Sequence, residues 1–153
     1  MRNLTAIIVI SASTMVLALG VAAAATPAAK PAAAAPAAAA VTIKDPTGAT
    51  FTGDATAGER TFHQCMTCHK IEAGKNGIGP SLHGIVGRKA GSLPDYTYTG
   101  AMKNSGLTWT EQTLADYLVN PRKLVPGTKM TFAGLAKAQD RANVIAYLKT
   151  AAK

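Results

Sequence analysis

The sequence predicts an all-α domain of short helices joined by long loops that need something to organise them. Three observations lead there. Three segments after residue 53 carry apolar residues at helical spacing between capping residues. Glycine and proline punctuate most of what lies between them. No β-hairpin pattern and no internal repeat is evident in the 153 residues.

The amino-terminal third stands apart. Residues 1–41 contain Arg2 and Lys30 as their only charges and are dominated by alanine. One cation precedes an uncharged, mostly apolar run from Leu4 to Ala25, followed by the small residues typical of signal-peptidase cleavage at Ala22, Ala23 and Ala24. The run is longer than a usual signal core and matches the roughly 20 residues that span a bilayer. Residues 1–25 are therefore expected to act as a signal peptide or as a retained membrane anchor. Residues 26–52 are expected to form an Ala/Pro-rich linker, because Pro27, Pro31 and Pro36 interrupt any helix and favour an extended spacer. Both fates export the domain, residues 53–153, to the periplasm, either soluble or tethered at the membrane through residues 4–25.

The first helix is expected in "GDATAGERTFHQC". Asp54 is its N-cap, and Gly58, Phe62 and Cys65 share one face. From Gly74 to Gly91 six glycines and Pro80 leave a loop. "TWTEQTLADYLVNP" is a second helix, with Thr108 and Glu111 at capping-box spacing and Pro121 as its stop. "KLVPGTKMTFAGL" is a loop with a Pro-Gly turn at 126–127, and "AKAQDRANVIAYLKTAAK" is the last helix.

The chemistry is concentrated in 65-CMTCH-69, which holds both cysteines of the chain. C-x-x-C-H is the attachment pattern of c-type haem. Two thiols on one turn reach two vinyl groups, and the adjacent histidine is held where it can ligate the iron. A zinc site would want a second ligand pair, and neighbouring Cys68 and His69 chelate a tetrahedral ion poorly. A redox dithiol would want a βαβ setting, and a disulfide across two residues is the remaining competitor. For a second axial ligand, the spacing leaves Met130, Met102, His83 and an open iron as candidates. Met130 is favoured because it sits in the loop "PGTKM" rather than on a helix face, where a methionine is usually core filler.

Residues 53–153 resemble the class I cytochromes c, close to the mitochondrial type and its bacterial relatives. The resemblance is carried by "QCMTCH", "GPSLHGIVGRKAG", "YTYT", "LTWTEQTLADYLVNP", "PGTKM" with Phe132 and Gly134, and "VIAYLK", in that order. It implies a small class I cytochrome c fold wrapped around one covalently attached haem c per chain. Cys65 and Cys68 would be the thioether anchors, and His69 and Met130 the iron ligands. Pro80 would back His69. Arg88, Tyr98 and Trp109 match positions that hold the haem propionates. Tyr117 matches the tyrosine that bonds the methionine sulfur, and Thr128 and Phe132 flank the ligand loop. Gly58 and Phe62 would meet Val144 and Tyr147 where the terminal helices cross. Met102 departs from the mitochondrial pattern, which has asparagine there, and Gln64 stands where many relatives carry lysine. The Phe62–Cys65 spacing and the loop 70–78 are each one residue short, as in bacterial relatives.

The implied function is that of an electron carrier, not an enzyme. It would be a monomer working between a quinol-oxidising bc-type complex and a terminal oxidase or photosynthetic reaction centre. The alternative is a haem domain with an opened iron that reacts with peroxide or binds small gases. Charge fits the first reading. The net charge is +8; 14 of 16 Lys and Arg lie from Lys44 onward with all 8 acids, leaving the folded part at +6. Lys70, Arg122, Lys123, Lys129 and Lys137 would steer acidic redox partners, whereas Lys149 and Lys153 read as solvated surface. No basic run with interleaved aromatics suggests nucleic acid.

Overall fold

The computed structural model describes residues 40–153. The expected signal peptide or anchor, and the linker as far as residue 39, lie outside the described residues. No helix among the described residues is long and apolar enough to cross a membrane.

The first element corrects the sequence reading. Residues 41–52, expected as the end of a linker, form an antiparallel hairpin of β1 (Thr42–Lys44) and β2 (Thr50–Thr52), with Ile43 opposite Phe51. Its turn is built by Asp45, whose Oδ1 accepts from Thr47 N (2.9 Å), Thr47 Oγ1 (2.6 Å) and Ala49 N (3.0 Å). Gly48 then takes the left-handed conformation (φ 88°) that closes it. Period-2 alternation puts Val41 and Ile43 inward, and both are almost fully buried. Burying each contributes at most about 1.5–3 kcal/mol.

α1 (Ala55–Phe62) starts at the expected cap: Asp54 accepts from Ala57 N at 2.8 Å. After the long loop comes a single helical turn, α2 (Gly100–Lys103), capped by Thr99. α3 (Glu111–Val119) is capped by Thr110, not Thr108, whose backbone instead bridges Lys89. Pro121 does not simply stop α3; it is the first residue of α4 (Pro121–Leu124), where a missing N–H costs nothing. α5 (Ala138–Ala151) crosses α1, and Phe62 packs on Tyr147 with ring centroids 5.2 Å apart. Every residue from Arg141 to Ala146 is buried, which an amphipathic surface helix cannot achieve. α1, α3 and the hairpin together enclose it.

The glycine-rich segment carries no helix, as its composition predicts, and is ordered through Ser81. The Ser81 hydroxyl donates to Glu72 O (2.6 Å), its N–H donates to Asn76 Oδ1 (2.8 Å), and its carbonyl accepts from Arg88 Nη2 (2.8 Å). Irregular backbone this buried needs such partners for each polar group.

Candidate haem site

The motif residues continue from α1 as one further turn. Cys68 N and His69 N both donate to Cys65 O, at 3.1 and 2.9 Å. This turn places Cys65 and Cys68, three positions apart, on one side. No disulfide joins them. Burial, helped by the neighbouring Cys68, pushes the Cys65 thiol up to about 11. For Cys65 this is the opposite of the lowered thiolate that a redox dithiol uses.

His69 is aimed from outside the motif. Its Nδ1 lies 2.7 Å from Pro80 O. A carbonyl oxygen only accepts, so Nδ1 carries the proton and Nε2 keeps its lone pair for a metal. Burial lowers the His69 pKa and favours the neutral ring that ligation requires, against the opposing Pro80 bond. The approach is close: a Cβ on Gly79 would overlap the imidazole.

The same cavity, about 630 Å³, receives all nine site residues read from the sequence: Cys65, Cys68, His69, Arg88, Tyr98, Trp109, Tyr117, Thr128 and Met130. Its walls are largely apolar, with Leu82, Ile85, Leu114, Leu118 and Leu148 among them. Met102, Pro80 and Phe132 also line it, whereas His83 does not. On the Met130 side, Thr128 Oγ1 sits 3.2 Å from the Tyr117 hydroxyl and accepts from Met130 N at 3.3 Å. The Pro126–Gly127 turn is closed by Thr128 N donating to Val125 O. Tyr117 stacks obliquely on Trp109 with centroids 4.9 Å apart.

Arg88 supplies a direct test of whether a haem suits this space. Its Nη1 and Nη2 donate to His83 O and Ser81 O (2.7 and 2.8 Å), while its buried Nε has no partner. A half-buried guanidinium whose buried Nε is a spare donor on a cavity wall suits an anionic group such as a propionate. Apolar walls, two thiols on one turn, a neutral histidine and a loop methionine complete a fitting donor set.

Sequence reading missed the ties between loops. Lys129 Nζ donates to Thr97 O at 2.5 Å and lies 4.4 Å over the Tyr96 ring. Tyr96 in turn donates to Ile78 O at 2.6 Å, and Asn76 donates to Asp95 twice. Lys129, expected as a docking charge, thus fastens the Met130 loop to residues 96–97. Lys149, expected as plain solvated surface, pairs with Glu111 at 2.6 Å.

A compact helical domain whose one turn offers Cys-x-x-Cys-His to an apolar cavity is a c-type cytochrome. The cytochrome c family model matches residues 55–152, and the chain belongs to that family. It is 56% identical over 99 residues to cytochrome c2 of Rhodomicrobium vannielii, covering 64% of this chain and 79% of the relative. It is 54% identical over 103 residues to cytochrome c-type cyt cy of Rhodobacter capsulatus, covering 67% of this chain and 51% of that longer protein. Among solved structures, cytochrome cH from Methylobacterium extorquens superposes with a TM-score of 0.62 at 49% identity, covering 64% of this chain and 99% of that one. The fold is the class I cytochrome c fold, the cofactor is covalently bound haem c, and the chain is an electron carrier rather than an enzyme. The hairpin lies ahead of the matched family region.

Proposed function

We propose that this protein carries single electrons between a quinol-oxidising bc-type complex and a terminal oxidase or photosynthetic reaction centre, with His69 and Met130 as the two iron ligands. The observation that carries the reading is that one cavity is lined by Cys65, Cys68 and His69 together with Met130, 61 positions beyond His69. Haem c supplies the one-electron iron couple there. The chain's own residues do the rest. Cys65 and Cys68 anchor the group, Pro80 fixes the tautomer of His69, and Thr128 and Tyr117 orient the Met130 loop. Arg88, Tyr98 and Trp109 hold the propionates, and the apolar walls exclude water. Two protein ligands close the iron to substrates, which disfavours the peroxide or gas-binding alternative.

The partner reading rests on charge. Lys70, Arg122, Lys123 and Lys137 are exposed, and a basic face steers weak, transient docking on acidic partners. The site of action is the periplasm, with residues 1–25 as signal peptide or anchor. The names cytochrome c2, cyt cy and cH among the relatives support a bacterial electron-transfer setting.

The test is Met130→Ala. It should abolish the weak red charge-transfer band that methionine-ligated ferric haem gives in this family, while haem stays attached. A band that survives in Met130→Ala but disappears in Met102→Ala would transfer the ligand role to Met102. A protein that binds peroxide or gas at its native iron would favour the alternative function.

A further inference from the structure

Asn76 is the one asparagine of the chain that is followed by glycine. An Asn-Gly pair is especially open to deamidation, because a glycine amide with no side chain beside it reaches the asparagine Cγ without obstruction. The fold nevertheless needs both residues. A Cβ on Gly77 would overlap the Cys68 carbonyl oxygen, which is backbone and cannot rotate aside. The Asn76 amide is bonded on both sides. Its Nδ2 donates to Asp95 O (3.1 Å) and Asp95 Oδ2 (2.9 Å), and its Oδ1 accepts from Ser81 N (2.8 Å). Such a pattern asks for a neutral amide, which donates and accepts at once, whereas a carboxylate only accepts.

The same bonds hold the reacting atoms apart. The nucleophile would be Gly77 N, and it donates to Gly79 O at 2.9 Å. The electrophile would be Asn76 Cγ, fixed through its oxygen to Ser81 and through its nitrogen to Asp95. A second tie, from the Tyr96 hydroxyl to Ile78 O at 2.6 Å, joins the same two segments. Asn76 is therefore released for reaction only when residues 76–78 part from residues 95–96.

We propose that Asn76 is a latent modification site: the closed loops protect it, and parting them converts it irreversibly to aspartate or isoaspartate, which keeps them apart. The step needs only water. Gly77 N loses its proton and bonds to Asn76 Cγ, and the side-chain nitrogen leaves as ammonia. Water then opens the succinimide ring. Attack at Cγ gives aspartate, and attack at the backbone carbonyl gives isoaspartate. The new carboxyl group ionises and the ammonia takes the proton. A carboxylate at 76 has nothing to donate, and it faces Asp95 Oδ2 where the 2.9 Å bond had been. Two carboxylates at that separation repel. The loops concerned serve the haem site: Pro80 O holds His69, and Thr97 O accepts from Lys129 beside Met130. A molecule whose loops have opened is thus marked by one added negative charge.

The test incubates the full-chain holoprotein in mildly alkaline buffer and reads deamidation by peptide mass spectrometry at Asn76 and at Asn104, which is exposed and followed by serine. The ratio of the Asn76 rate to the Asn104 rate should be at least about tenfold lower in the folded holoprotein than in denaturant, since three hydrogen bonds must open first. Asp95→Ala removes one acceptor and should speed Asn76 at least about twofold while leaving Asn104 unchanged. Asp95→Asn keeps an acceptor there and should stay near the parent. Asn76→Asp stands for the product: its Gly77 and Ser81 amides should exchange faster than the parent's. Adding Asp95→Asn, which returns a donor opposite the new carboxylate, should restore their protection. A rate ratio unchanged by folding, or an Asn76 rate unchanged in Asp95→Ala, overturns the protected site. Amides as protected in Asn76→Asp as in the parent, or a loss that Asp95→Asn fails to repair, overturns the claim that the product keeps the loops apart.

Discussion

Gly58 of α1 lies directly against Asn143 of α5, so close that a Cβ on the glycine would overlap the Asn143 carbonyl oxygen. The obstruction is backbone, which cannot rotate aside as a side chain would. Gly58→Ala should therefore push the two helices apart and destabilise the holoprotein by at least about 2 kcal/mol. Chemical denaturation of haem-loaded protein checks this. Gly100→Ala is the control, because nothing lies within 4 Å of a Cβ there, and it should be close to neutral.

Arg88 joins structure to electrostatics. Arg88→Ala should leave the Ser81 and His83 carbonyls without their donor and cost about 1–3 kcal/mol. It also removes a positive charge from the cavity wall. A cation there favours the reduced, less positive iron, so the reduction potential should fall. Voltammetry reads the shift, and Arg88→Lys should restore part of the potential without restoring both hydrogen bonds.

Tyr117 predicts a pH dependence. Burial raises its hydroxyl above the ordinary value of 10.0, with the Thr128 bond pulling the other way. For a group raised on folding, stability is fully present below the unfolded value and is lost as pH climbs through the folded one. The denaturation midpoint of the parent should thus fall from about pH 10 upward more steeply than that of Tyr117→Phe. Equal slopes would show that Tyr117 does not contribute.

How much of this was legible in the sequence follows from which interactions are local. Asp54 caps its helix through a residue three positions on, so α1 could be read directly. Thr108 and Thr110 both precede α3 within the reach of a cap, and only the pairing of Thr108 with Lys89, across the fold, decides for Thr110. The hairpin was missed because each strand is three residues long and sits beside an alanine-proline tract. Its signal, alternating "VTIK" and "TFTG" around "DPTG", is present but short. α2 and α4 are single turns of four residues, too brief to show a period. The nine residues that share the cavity could be picked out because their order along the chain resembles a family. The loop ties were not: Lys129 to Thr97 and Tyr96 to Ile78 join residues 32 and 18 positions apart with no motif around them.

Two glutamines bond outward backbone groups of the hairpin, Gln112 from α3 and Gln139 from α5. In a two-stranded sheet each strand has an outward row of amide and carbonyl groups that could template another chain. Here Gln112 takes both outward groups of Lys44 on one edge, and Gln139 takes the Thr52 carbonyl on the other. Side-chain amides thus stand where foreign strands would otherwise add. A foreign strand adding at either edge would first have to displace a side-chain amide.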